Sequence, residues 1–154
     1  MAHVELSLSG AFVPQARTPV EAEFLSSVER WTSTVMAAAE PCLIINNEGT
    51  IAALSPACSE LLGLDKPAEA IGQQFTAQIS LIDFTANAGA LEDPDAGNIP
   101  PLLAVKSGRL ARGLMRVVPG PGAAPLIVDA ISTPLLDGEQ RVLGALTFFS
   151  AVRY

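Results

Sequence analysis

Residues 43–75 read LIINNEGTIAALSPACSELLGLDKPAEAIGQQF, and the order of local signals in this stretch decides the fold. Leu43-Ile44-Ile45 is a short apolar run whose β-branched residues favour a strand. Asn46-Asn47-Glu48-Gly49 is a cluster of turn-formers in which Gly49 is free to take the positive φ of a tight hairpin. Thr50 to Leu54 reads as the returning strand. Ser55 then offers an N-cap, Pro56 suits the first helical position, and Cys58, Leu61 and Leu62 recur at helical spacing before Gly63 stops the helix. A second short helical piece lies at Pro67–Ala70, and Ile71-Gly72 ends it before Gln73-Gln74-Phe75. The stretch therefore predicts hairpin, helix, short helix.

This order resembles the start of a PAS domain, a sensory fold whose members often show two strands around D-x-x-G-x-I, then N-x-A, L-L-G and I-G-x-x-F. The matching residues are Gly49, Ile51, Ala57, Leu61-Leu62-Gly63 and Ile71-Gly72-Gln73-Gln74-Phe75. Asn46 stands where the family often has Asp, and Ser55 where it often has Asn; both still cap a turn or a helix. The resemblance covers residues 40–152. It implies an α+β domain with a five-stranded antiparallel sheet in the order 2-1-5-4-3 and helices on one face.

The 154 residues suffice for one domain with a real core, and 49% of them are hydrophobic, as a globular chain requires. No apolar run approaches the ~20 residues of a membrane-spanning helix. The N-terminus lacks the basic start and apolar core of a signal peptide, so a cytoplasmic location is expected. The net charge of −7 argues against nucleic acid, which needs a basic face. Two cysteines read as buried thiols of a reducing compartment.

Ahead of the domain, residues 1–17 form an arm with one alternating piece, Val4 to Ser9. Residues 18–39 then open with a capping box, Thr18-Pro19-Val20-Glu21. Phe24, Val28, Trp31, Val35 and Ala38 follow in steps of four and three, the seam of an amphipathic helix. Two readings fit this lead helix. It joins two copies as a homodimer through Phe24, Val28, Trp31 and Val35, as in many relatives the resemblance brings in, or it packs on its own domain's sheet.

Downstream, Glu92, Asp93 and Asp95 lie in an acidic loop whose spacing, broken by Pro94, does not fit a calcium loop. Asn98 is placed to cap a helix carrying Ile99, Leu102, Leu103 and Val105, which the resemblance makes the roof of a pocket. Strands are expected at Leu110–Val118, with Ala111, Gly113, Met115 and Val117 inward, at Pro125–Pro134, and, after an Asp137-Gly138 turn, at Arg141–Val152.

Chemistry finds few footholds. The one histidine, His3, sits in the leading arm, and no nucleophile elbow, phosphate loop or metal motif is present, so catalysis is not expected. Of the cofactors the resemblance brings in, haem lacks a histidine between Ile99 and Ser107, and flavin photochemistry lacks its cysteine near Thr76–Ser80. Cys58, in the first turn of a helix, is either a redox-sensitive thiol or a small buried hydrophobe. Arg112 and Arg116 share a strand face, where they bind an anion or decorate the solvent side.

What remains is an apolar pocket between roof helix and sheet, lined by Ile45, Leu62, Phe84, Leu102, Leu103, Met115, Val117, Leu146 and Phe148. Such a lining suits a small apolar ligand better than a charged one. A solid core accounts for the same residues, which leaves two functional readings. One is a dimeric sensory module that binds a ligand; the other is a ligand-free protein–protein interaction domain. The last residues, Phe149 to Tyr154, stand where the family often has an Asp-Ile-Thr-like coupling motif. The output is accordingly expected from a removed domain or a separate signalling partner.

Overall fold

The computed structural model describes residues 30–153. The leading arm and the seam residues Phe24 and Val28 lie outside the described residues. The described chain begins with a helix, α1, at 30–37. The hairpin follows as β1 (Cys42–Asn46) and β2 (Ile51–Leu54), then the helices α2 (Pro56–Leu62), α3 (Pro67–Ala70) and α4 (Phe75–Gln78). After them come β3 (Leu81–Ile82), α5 (Asp93–Ala96) and α6 (Pro100–Ser107). The strands β4 (Ala111–Val117), β5 (Leu126–Leu136) and β6 (Val142–Ala151) complete the sheet.

The strand order is β2-β1-β6-β5-β4-β3, antiparallel throughout. The expected five-strand order is present, and β3 adds a sixth strand at the edge. Only two residues long, β3 offers too little sequence to show a period. The pairing Leu81↔Val117 and Ile82↔Arg116 makes it a strand. β5 runs past Pro134, where a strand end was expected. β4 stops at Ala111, opposite Ser132, so beyond that point β5 has a single neighbour and proline's missing N–H leaves no second ladder incomplete. The acidic loop contains α5, one turn long. Ile99, not Asn98, occupies the N-cap of α6 and makes no side-chain capping bond there; Pro100 fills the first position.

Alternation sorts the residues of β1 onto two faces. Leu43 and Ile45 enter the main core with Leu62, Phe75, Met115, Val117, Val128 and Phe149. This core lies between the sheet and the helices that follow β2. Cys42 and Ile44 point the other way and join Ala53, Leu146 and Val35 in a smaller cluster. Helix α1 therefore packs on the outer face of its own sheet through Val35, while Trp31, one turn earlier, stays 41% exposed.

The inner face holds one buried polar pair, Ser132 and Thr147, directly opposite in the β5–β6 register with hydroxyls 2.6 Å apart. Each satisfies the other, which removes the cost of burying a bare hydroxyl.

Candidate functional site

A cleft of about 520 Å³ opens beside the edge of the sheet, within the usual range of small-molecule sites. Helix α4 supplies Thr76 and Ala77, the chain leading to β3 supplies Ile79 and Ser80, and β3 itself supplies Leu81. The opposite wall is Ala90 and Leu91, then Ala96 and Gly97 at the end of α5; Leu102 of α6 closes it. Ile79 and Leu81 belong to the main core, so the floor of the cleft is the outer shell of that core.

The wall carrying Ala90 and Leu91 is the return arm of a small hairpin. Leu91 N donates to the Leu81 carbonyl (3.1 Å), Asp83 N donates to the Gly89 carbonyl (2.9 Å), and Ile82 bridges Ala90. Arg116 straps the hairpin to the sheet by donating to the carbonyls of Asp83 (3.1 Å) and Thr85 (3.3 Å). Asp83 accepts from Thr85, through both its hydroxyl and its N–H. Those bonds, with the Thr85 hydroxyl foremost, hold its carboxyl below the usual carboxylate range.

Two of the cleft's elements also reach the first hairpin. The Gly49 carbonyl accepts from Phe75 N (2.9 Å), at the start of α4. Gln74 Nε2 donates to the Glu48 carbonyl (3.1 Å). Gly49 has φ +83°, and a Cβ there would come within 3.3 Å of Leu102 Cδ2. Leu102 thus stands between the cleft and the β1–β2 turn.

Of the residues expected to line a pocket, Leu102 alone borders this cleft. Ile45, Leu62, Met115 and Val117 are buried in the main core, packed against other side chains. Leu146 faces the outer cluster, and Phe148 is 45% exposed on that same face, because on β6 it is Ala145, Thr147 and Phe149 that point inward. Phe84 follows β3 in the hairpin and is 55% exposed, and Leu103 lies on the outward side of α6. The cleft itself escaped sequence reasoning because small residues make it. Its only trace in the sequence is the run of alanines and glycines at Ala88-Gly89-Ala90 and Ala96-Gly97.

The other candidates resolve in turn. Cys58 is fully buried, and burial pushes its thiol up to about 12, overriding the helix N-terminus that favoured a thiolate. Arg112 forms a two-bond pair with Asp129 (3.2 and 2.7 Å) on the outer face of the sheet. That pair is open to water and well screened. Among the described residues no cluster of His, Cys, Asp or Glu has the makings of a metal site. No described helix is long and apolar enough to cross a membrane.

No protein-family model matches the chain, and neither does any curated protein. Solved structures do. The PAS domain of a Colwellia psychrerythraea protein superposes with a TM-score of 0.57 at 13% identity, covering 82% of this chain and 97% of that one. The PAS domain of the fruit-fly ELK potassium channel gives 0.59 at 12% identity, covering 85% and 98%. VqmA bound to DPO gives 0.55 at 15% identity over 84% of this chain, which spans 58% of that protein. At such identities the likeness establishes architecture, and with the strand order it shows that the described chain has the PAS fold.

Proposed function

We propose that this chain is a non-catalytic, cytoplasmic sensory or regulatory module that binds a small molecule in the cleft between α4, the β3 hairpin and α6. The observation that carries this reading is the placement of the cleft. Its walls include α6, which packs on β4, β5 and β6, and α4, which holds the β1–β2 turn. A ligand there touches α4, which is bonded to the turn that follows β1, the strand entered from α1. VqmA, whose structure shares this fold over part of its length, was solved bound to DPO, which supports a ligand-binding reading. The output passes to a signalling protein or to a further domain.

The test is native mass spectrometry of freshly purified protein, repeated after denaturation. A stoichiometric mass excess that vanishes on denaturing is the expected result; a clean protein mass, with no small molecule that binds on screening, would overturn the sensor reading.

Dimerisation belongs to the same proposal. Val35 is spent on the chain's own sheet, which leaves Trp31 as the described seam residue available to a second copy. Trp31→Glu is expected to convert a dimer to a monomer in sedimentation while the thermal transition stays in place. Unfolding, or an unchanged sedimentation coefficient, would remove Trp31 from the interface.

A ligand-free interaction domain is the second reading, and one observation favours it. The inner sheet face is filled by side chains, whereas Leu114, Ile131 and Phe148 stand exposed on the outer face, with Ile131 and Phe148 directly opposite each other. A clean dimer with no bound mass would select it.

A further inference from the structure

From the lining we infer that the cleft at the sheet edge selects an uncharged, hydrogen-bonding small molecule, an inference that rests on the cleft being the ligand site. None of its ten lining residues is ionisable. Its polar side chains are the hydroxyls of Thr76 and Ser80, each able to donate and to accept, so both an amide-like and a hydroxyl-like group find a partner. Leu81, Leu91 and Leu102 supply the apolar contact. Ala77, Ala90, Ala96 and Gly97 keep the walls low.

Charge at the margin argues against an anion. Asp83, Glu92 and Asp95 lie in the segments that frame the cleft, adjoining lining residues or starting the hairpin. The cation paired with that hairpin, Arg116, already bonds the carbonyls of Asp83 and Thr85. Lys106, on α6, donates to Asn98 (3.3 Å). An anion entering here leaves water without a positive partner, and the exposed, screened carboxylates at the margin add a weak repulsion. A cation fares little better. Glu92 and Asp95 are exposed, so water and salt screen their attraction, and no carboxylate lines the walls to pair with a buried ammonium. A neutral molecule loses less on leaving water and recovers it through two hydroxyls.

The experiment uses three probes of one shape and three charges: benzamide, benzoate and benzamidinium. Each is titrated into the isotope-labelled full chain while the amide resonances of Thr76, Ser80, Ala90 and Gly97 are followed. Benzamide is expected to move these amides to saturation, with both charged probes at least tenfold weaker. In the Thr76→Val/Ser80→Ala double variant, which keeps the shape of the walls, benzamide should weaken by a further tenfold or more. A charged probe that saturates the same amides at lower concentration would overturn the ligand class and leave the cleft standing as a site. If none of the three moves them, the cleft reading and the class fall together. Unchanged benzamide binding in the double variant would overturn the role given to the hydroxyls.

Discussion

Phe75→Ala is expected to destabilise the domain by about 3–5 kcal/mol, the usual cost of deleting a fully buried aromatic ring. Phe75 is completely excluded from solvent. Its ring packs on Phe149 of β6 with centroids 6.3 Å apart and planes tilted by 30°. Its amide also holds the first hairpin through the Gly49 carbonyl. One side chain thus ties the start of α4 to the middle of the sheet, and no smaller residue reaches both. Domains of this size are stable by about 5–15 kcal/mol, so the loss takes a large share of the total. Urea denaturation followed by circular dichroism measures it. The midpoint should fall sharply with little change in slope. Thr76 and Ala77 follow Phe75 directly in the chain, so a loosened α4 also opens the cleft, and benzamide binding should weaken in parallel. A loss below about 1 kcal/mol would mean that the surroundings collapse into the space and that Phe75 is not the anchor.

Phe75 also shows which parts of the fold the sequence makes legible. As the last residue of I-G-x-x-F it stood out, because turn formers, a cap and helical spacing all fall within some thirty residues and act locally. The inward set of β4 was legible for the same reason, since Ala111, Gly113, Met115 and Val117 alternate with a set that carries both Arg112 and Arg116. On β6 the alternation is masked. Leu146, Thr147, Phe148 and Phe149 are apolar in three positions of four, so sequence alone assigned Leu146 and Phe148 inward. The register with β1 and β5 brings Thr147 and Phe149 inside, and the buried threonine is explained by Ser132 across the strand, fifteen residues away. The β3 hairpin was hidden by length: two paired residues carry no period. The cleft was hidden by chemistry, since a concavity made of alanine and glycine shows neither charge nor apolar pattern. The outer seat of Val35 was one of two readings open for the lead helix. Choosing between them required knowing that Cys42, Ile44, Ala53 and Leu146 form a common face.

Ser55→Ala is expected to cost about 2–4 kcal/mol, more than the loss of an ordinary helix cap. The capping part was visible in sequence, and the Ser55 hydroxyl does accept from Cys58 N (3.2 Å) at the start of α2. That bond alone is worth about 0.5–2 kcal/mol. The same oxygen accepts from Cys42 N (3.0 Å), the first residue of β1, and donates to the Glu40 carbonyl (2.6 Å), in the link from α1. Ser55 is fully buried, so truncation strands the Cys42 N–H away from water and adds about 1–3 kcal/mol. These two partners lie thirteen and fifteen residues upstream, beyond what local capping rules detect. One hydroxyl therefore joins the lead helix, the sheet and α2. That junction bears on signalling, because any movement passed from the domain to α1 crosses the Glu40–Cys42 link. Hydrogen exchange should show faster opening at the Cys42 and Cys58 amides in Ser55→Ala, alongside the fall in urea midpoint. Ser55→Thr keeps the oxygen and serves as the control. If Thr and Ala lose equal stability, side-chain volume rather than hydrogen bonding governs the site; a loss under about 0.5 kcal/mol for Ala would show that the three segments hold together without it.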